Sequence, residues 1–185
     1  MGTEVENIIT VGDQHYIYAA SSLVDDRRRV LLHGDTFAVF DRSGDLQPIG
    51  DGDYGLFHCD TRHLSTLELR INGRRPLLLS STIRNDNALF AVDFTNPKMP
   101  NGDRSVRQGT IHIYRTKFLY ASCCFECICL ENYGDEPVDL TLSIHFGADF
   151  ADIFEVRGGK RERKGRLLDP LLQDNGIKMI YAGLD

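Results

Sequence analysis

Leu67-Glu68-Leu69-Arg70-Ile71-Asn72-Gly73 is the stretch that decides the fold class. Leu67, Leu69 and Ile71 fall on one side of an extended chain and Glu68 and Arg70 on the other, because side chains of a β-strand alternate with a period of two. Asn72-Gly73 is the preferred pair for a type I′ hairpin turn, whose two central residues both need positive φ. Leu77 to Ile83 is therefore the expected returning strand. Upstream, the period of two begins at Val30. Thr36 to Phe40 reads as a strand, Arg42-Ser43-Gly44-Asp45 as a turn, and Leu46 to Ile49 as its return. Gly50-Asp51-Gly52-Asp53 follows as a flexible turn that lacks the ligand pattern of a calcium loop. Downstream, Ala88 to Thr95 is a strand and Asn96 to Gln108 a polar loop.

Three long β-runs come next. Thr110 to Ala121 carries Ile111 and Ile113 on one face, and Cys124 to Tyr133 carries Cys124, Ile128 and Leu130 on one face. Val138 to Phe146 alternates cleanly. Val138, Leu140, Leu142, Ile144 and Phe146 face in, while Asp139, Thr141, Ser143 and His145 face out. Ile177 to Tyr181 is a last short strand. No segment shows a helical period of useful length. Many strands joined by polar turns give an all-β fold, an antiparallel β-sandwich of supersandwich-like type with little helix. Residues 1–29 read as a polar leader with one apolar patch, Tyr16 to Ala20, and residues 30–185 as the sandwich domain. The last strand has no later partner, so the chain is expected to be the front part of a longer polypeptide.

The composition narrows the function. The chain has 185 residues, is 42% hydrophobic and 26% charged, and carries a net charge of −6. Those proportions are ordinary for a globular domain, and the negative balance argues against general nucleic-acid binding. No run of roughly 18 apolar residues offers a membrane span, and no basic stretch precedes an apolar segment as in a secretory signal. The five cysteines are Cys59 and the cluster Cys123, Cys124, Cys127 and Cys129. An odd, clustered set is a poor disulfide framework, so reduced thiols in a cytoplasmic protein are expected. Cys124-x₂-Cys127 has the spacing of one zinc-ligand pair, but residues three apart in a strand face opposite sides, and Cys127 and Cys129 share a face yet sit only two apart. Small apolar side chains within strands are the favoured reading of the cluster, and of His58, Cys59 and His63, over a zinc site. No metal and no cofactor are expected.

The chemistry concentrates in Ala148 to Gly158, read as ADFADIFEVRG. Asp149, Asp152 and Glu155 recur at a spacing of three among Phe150, Ile153, Phe154 and Val156, and Arg157 follows. Carboxylates among apolar groups are either tied down by hydrogen bonds or used for chemistry. A glycosidase needs two such groups, one holding a proton and one ionised. The competing reading is a structural loop whose acids cap backbone N–H groups or pair with Arg157. Asp60-Thr61-Arg62 is a second candidate, because the guanidinium fork of Arg62 can hold a carboxylate or a sugar hydroxyl. A salt bridge fixing the strand entry is the favoured reading there. Lys160 to Arg166 is a basic loop without aromatic residues to stack bases, and reads as a solvated connection or a docking edge.

The chain resembles the N-terminal domain of bacterial glycogen-debranching-type enzymes, the amylo-α-1,6-glucosidase family. The resemblance runs from about Val30 to Asp185. It is carried by Asp35 to Asp41, Gly55-Leu56-Phe57-His58, Asp60-Thr61-Arg62, Leu67 to Leu79, Asn132-Tyr133-Gly134 and, above all, Asp149 to Gly158. It implies a β-sandwich joined to a C-terminal (α/α)₆ toroid that supplies the catalytic carboxylates. No catalytic residue is then expected in this chain. Asp149, Asp152, Glu155, Arg157, Asp60 and Arg62 become candidates for contacting substrate or the neighbouring domain. The implied partners are the toroid of the same parent chain and, indirectly, an α-glucan. A stand-alone carbohydrate-binding module and a structural oligomerisation domain are the rival readings. The lack of Trp and the scattered Tyr residues count against the first, and an uncovered apolar face forming a homodimer would mark the second.

Overall fold

The structure, a computed structural model, describes residues 8–11, 14–17, 28–47 and 53–184. It is 57% strand and 3% helix, with every ladder antiparallel, so the all-β expectation holds. The strands are β1 (Ile8–Val11), β2 (Gln14–Ile17), β3 (Arg29–His33), β4 (Thr36–Phe40), β5 (Gly55–His58), β6 (Thr61–Leu64), β7 (Thr66–Ile71) and β8 (Leu77–Ile83). They continue with β9 (Phe90–Thr95), β10 (Met99–Asn101), β11 (Arg104–Val106), β12 (Ile111–Tyr120), β13 (Cys123–Asn132) and β14 (Leu142–Gly147). A single helical turn, α1 (Ile153–Val156), precedes β15 (Arg166–Gln173) and β16 (Gly176–Ala182).

Two four-stranded sheets form the body, one ordered β3-β4-β5-β6 and the other β13-β12-β9-β8. Leu31, Ala38 and Phe40 from the first sheet and Phe90, Val92, Phe94, Ile111 and Ile113 from the second join one buried apolar cluster. Leu67 and Ile71 of β7 belong to it as well. Burying a side chain of this size stabilises by about 1.5–3 kcal/mol relative to leaving it in water. A shared core between two antiparallel sheets is the defining feature of a sandwich.

The turn at Asn72-Gly73 forms as its residues demand, with φ of 46° and 72° and a bridge between Ile71 and Arg74. The strand that follows does not return to β7. Leu77–Ile83 pairs with β9 in the second sheet, and β7 pairs instead with β14. The turn chemistry is local and the choice of partner is not. Asn96 to Gln108 is also more ordered than a loop. Met99–Asn101 and Arg104–Val106 pair as a small hairpin, with Met99 and Val106 buried in the core. Gly102, at φ 58°, takes the first of its two turn positions, where type II′ turns place glycine.

Of the apolar run Val138 to Phe146, Val138 and Leu140 pack on the core, but Leu142, Ile144 and Phe146 stay about 40% exposed. They stand opposite Ile71, Leu69 and Leu67 and so share their face. Each lies on β14, whose other edge has no strand beside it among the described residues. The leader holds the paired strands Ile8–Val11 and Gln14–Ile17. The rest of its apolar patch, residues 18–20, and the loop residues Gly50 to Gly52 lie outside the described residues. Leu46 forms one bridge, to Leu67, rather than beginning a described return strand.

Candidate functional site

Asp60-Thr61-Arg62 and Asp149 to Gly158, far apart in sequence, meet in space. Cys59 and Asp60 make the tight turn between β5 and β6, both with positive φ (45° and 61°). Such φ values are uncommon away from glycine and need support from neighbours. Two hydrogen bonds supply it: Cys59 N–H donates to the Asp35 carbonyl (3.1 Å), and Ile153 N–H donates to the Asp60 carbonyl (2.9 Å). Arg62 N–H donates to the Ala151 carbonyl (2.8 Å), and Thr61 bridges to Asp152. The acidic segment thus lies against β6.

Arg62 clamps it. Nε donates to Asp149 Oδ1 (3.1 Å) and Nη2 to Asp149 Oδ2 (2.5 Å), while Nη1 donates to the Tyr54 carbonyl (3.1 Å). A two-point guanidinium–carboxylate contact fixes orientation as well as charge. Gly55 explains how the guanidinium stem fits. A Cβ at Gly55 would sit 2.4 Å from Arg62 Cδ and 2.8 Å from Cγ. The glycine of Gly55-Leu56-Phe57-His58 therefore serves the arginine of Asp60-Thr61-Arg62.

Asp152 is the N-cap of α1. Its Oδ1 accepts from Phe154 N–H (2.8 Å) and Glu155 N–H (2.9 Å), and the Glu155 carboxylate accepts from Asp152 N–H (3.3 Å). This reciprocal arrangement is a capping box. The basic loop closes over it, with Arg161 paired to Asp152 and Lys164 Nζ 2.5 Å from Glu155 Oε1. The spacing of three in the sequence reflects the helical turn at Asp152 and Glu155. Asp149 stands outside that turn, held by Arg62. Arg157 does not join the cluster. It closes the helix through its backbone N–H to the Ile153 carbonyl, and its side chain is exposed.

Aromatic groups frame the clamp. Phe150, at φ 51°, stacks on Tyr181 (5.4 Å between centroids) and meets the edge of His63 (5.6 Å). Burial, aided by the neighbouring His58, lowers the His63 pKa. Phe154 projects from α1 with 71% of its surface exposed.

A second charged cluster escapes the sequence pattern. Arg115 and Lys117 lie on the inward face of β12, in step with Ile111, Ile113 and Leu119, and are almost wholly buried. Arg115 donates from Nη1 to Asp45 Oδ1 (2.6 Å) and the Ser43 carbonyl (2.8 Å), and from Nε to Glu126 Oε1 (2.7 Å). Lys117 Nζ pairs with Glu126 Oε2 and lies 5.2 Å from the centre of the Phe40 ring. The network ties the turn after β4 to β12 and β13, joining the two sheets through the core. Burial lowers the Lys117 pKa to about 8, with Arg115 adding to the effect and Glu126 opposing it. Burial also works against the charged form of Glu126, but Lys117 and Arg115 outweigh it and its pKa falls. Asp41, half-buried beside Asp45, is raised to about 6 by loss of hydration and by the neighbouring carboxylate. The signal for this cluster was the unbroken period of two through Arg115 and Lys117, with Glu126 in register opposite Lys117.

Cys127 and Cys129 are exposed on the outer face of β13, their sulfurs 3.8 Å apart. Among the described residues no group of three or more His, Cys, Asp or Glu side chains is placed to hold a metal ion. No helix among them is long and apolar enough to cross a membrane.

A family model described as the N-terminal domain of (some) glycogen debranching enzymes matches residues 31–185. No curated protein matches the chain, and no solved structure does.

Proposed function

Because the chain belongs to the family of N-terminal domains of glycogen debranching enzymes, we propose that it is a non-catalytic supporting module of an α-glucan glycosidase. The parent activity in this reading is that of an amylo-α-1,6-glucosidase acting in the cytoplasm. The module braces the catalytic (α/α)₆ domain and borders its substrate cleft. The edge that does so is the clamped segment of Asp149, Asp152 and Glu155 with Asp60 and Arg62, and Arg157 lies on its outer side.

The observation that carries this reading is the occupation of the three carboxylates. Asp149 is held by Arg62, Asp152 by two amides and Arg161, and Glu155 by Lys164 and a backbone amide. A glycosidic acid must carry a proton near neutral pH, which calls for an apolar setting without a cation beside it. Carboxylates held in ion pairs and backbone hydrogen bonds suit a structural post. A rigid base that presents exposed Phe154 and Arg157 suits a docking edge, since a buried aromatic anchor and an arginine contribute most at interfaces.

Glucose release from a branched α-glucan is the test. The isolated chain is expected to release none, and the parent chain carrying Phe154→Ala and Arg157→Ala to lose activity and thermal stability together. Turnover by the isolated chain that vanishes in Asp152→Asn would overturn the proposal. A second reading, self-association, draws on exposed Leu142, Ile144 and Phe146 and on Leu167, Leu171 and Leu172 of β15. Sedimentation over a range of concentrations checks it, with a concentration-independent monomer as the contrary result.

A further inference from the structure

The hairpin β10–β11 and the turn after β13 enclose a cleft of about 510 Å³. That volume falls within the roughly 300–1,000 Å³ of small-molecule sites. Asn101, Arg104, Arg107, Tyr133, Asp135 and Glu136 line it. Tyr133 is 68% exposed, and its hydroxyl donates to Glu131 Oε2 (2.6 Å). The hydroxyl is thereby tethered to its own strand while much of the ring remains open to solvent.

The walls are fixed mainly through backbone groups, with the lining side chains of Thr110 and Asn101 also engaged, Asn101 Nδ2 donating to the Pro137 carbonyl (3.2 Å). Tyr133 N–H donates to the Thr110 carbonyl (2.9 Å), and Gly134 N–H to Asn132 Oδ1 (2.9 Å). The Arg107 carbonyl accepts from Asn96 Nδ2 and from Thr110 Oγ1, both at 2.8 Å. Gly134 lets the turn approach this closely, since a Cβ there would lie 2.8 Å from Thr110 Cγ2. This is a physical reason for the glycine of Asn132-Tyr133-Gly134.

The charge balance selects the ligand. Two arginines and two acidic residues line the cleft, and the pair that forms among the described residues, Arg104 with Glu136, is long at 3.4 Å and well exposed on both sides. An anion would meet Asp135 and Glu136, and a cation would meet Arg104 and Arg107. A neutral ligand rich in hydroxyls meets no such penalty, because each hydroxyl both donates and accepts. Planar guanidinium, amide and carboxylate groups beside an open aromatic face suit a sugar ring, with polar edges and an apolar C–H face.

We propose that this cleft is a surface binding site for a neutral oligosaccharide, with the Tyr133 ring as platform and Arg104, Arg107, Asn101 and Glu136 as hydrogen-bonding edges. That the oligosaccharide is an α-glucan rests on the function proposed above; that it is a neutral sugar rests on the cleft alone. The experiment is calorimetric and NMR titration of the 185-residue chain with maltoheptaose, cellohexaose and inorganic phosphate. Maltoheptaose is expected to bind saturably. Tyr133→Ala and Arg107→Ala should each weaken binding about tenfold or more, and Tyr133→Phe should keep it. Unchanged thermal midpoints show that the variants are folded. Binding of cellohexaose alone, lost in Tyr133→Ala, upholds the cleft and counts against the α-glucan reading. No sugar binding, binding indifferent to Tyr133, or binding of phosphate only overturns the cleft and leaves the supporting-module reading standing.

Discussion

Glu126→Gln should destabilise the domain by about 3 kcal/mol at neutral pH, through two separate losses. Arg115 keeps Asp45 but gives up a charged hydrogen bond of 2.7 Å, which contributes about 1.5–3 kcal/mol. Lys117 loses its carboxylate and is left beside the Phe40 ring. It then sheds its proton. With an unfolded pKa of 10.5, discharge at pH 7 costs at most about 1.36 × 3.5, or nearly 5 kcal/mol. The native protein already bears about 3 kcal/mol of this, because its lysine sits at about 8. The added cost is therefore only about 1–2 kcal/mol. Relief of the buried carboxylate offsets part of the sum, which keeps the total near the low end of the roughly 3–5 kcal/mol typical for breaking a buried pair. Urea unfolding followed by circular dichroism measures it. The pH dependence supplies a second check. Between about pH 8 and 10.5 the unfolded chain binds more protons at Lys117 than the folded one, so native stability should rise with pH across that window. In Glu126→Gln the rise should begin below pH 8, and in Lys117→Met it should vanish. A loss under about 1 kcal/mol with an unchanged pH profile would refute the account of a linked buried network.

Four further outcomes are expected. Asp41, raised from 3.8 to about 6, makes a stability contribution that falls as pH rises through that interval; unfolding at pH 4 and pH 7 should show the fall in the native chain and not in Asp41→Asn. Gly55→Ala should cost about 1–3 kcal/mol by driving a methyl into the Arg62 stem, and amide exchange should then quicken through residues 149–158. Asp152→Ala should remove about 1 kcal/mol of capping, seen as faster exchange at Phe154 and Glu155, whereas equal exchange would dismiss the capping box. The thiols should react with an aromatic disulfide at different rates, the exposed Cys59 and Cys123 quickly and the half-buried Cys124 slowly, because its sulfur is shielded and burial raises its pKa.

What the sequence made legible was local. The turn at Asn72-Gly73 and the strands Thr36–Phe40 and Thr66–Ile71 follow from residue chemistry within a few positions. The partner of β7 does not, because Leu77–Ile83 and Leu142–Gly147 both offer apolar residues in the right alternation and only the packed core chooses between them. Arg115 and Lys117 were hidden for a different reason. A charged residue is ordinarily read as facing water, and its burial becomes intelligible only when Asp45 and Glu126 arrive from other parts of the chain. The candidate site was half visible. Both motifs stood out, but their meeting did not, and the pairing of Arg157 with the neighbouring carboxylates that their closeness in sequence suggests does not form, because the end of the helical turn directs its side chain to solvent.

The clamp also sets a clock. Arg62 and Asp149 are 87 residues apart, and Ser65 meets Gly147 across 82. During synthesis at roughly 5–20 residues per second, the first partner waits about 4 to 17 seconds for the second to emerge. Through that interval β7 has its apolar face formed and one edge unpaired, a state that other nascent chains can join. Contacts of such long sequence separation also slow folding, since the loop must close before any of its bonds can form. The segment that ends the wait runs from β14 through residues 149–158, with β15 and β16 still to follow, and a ribosome stalled before β14 would hold a chain whose best strand is an aggregation hazard.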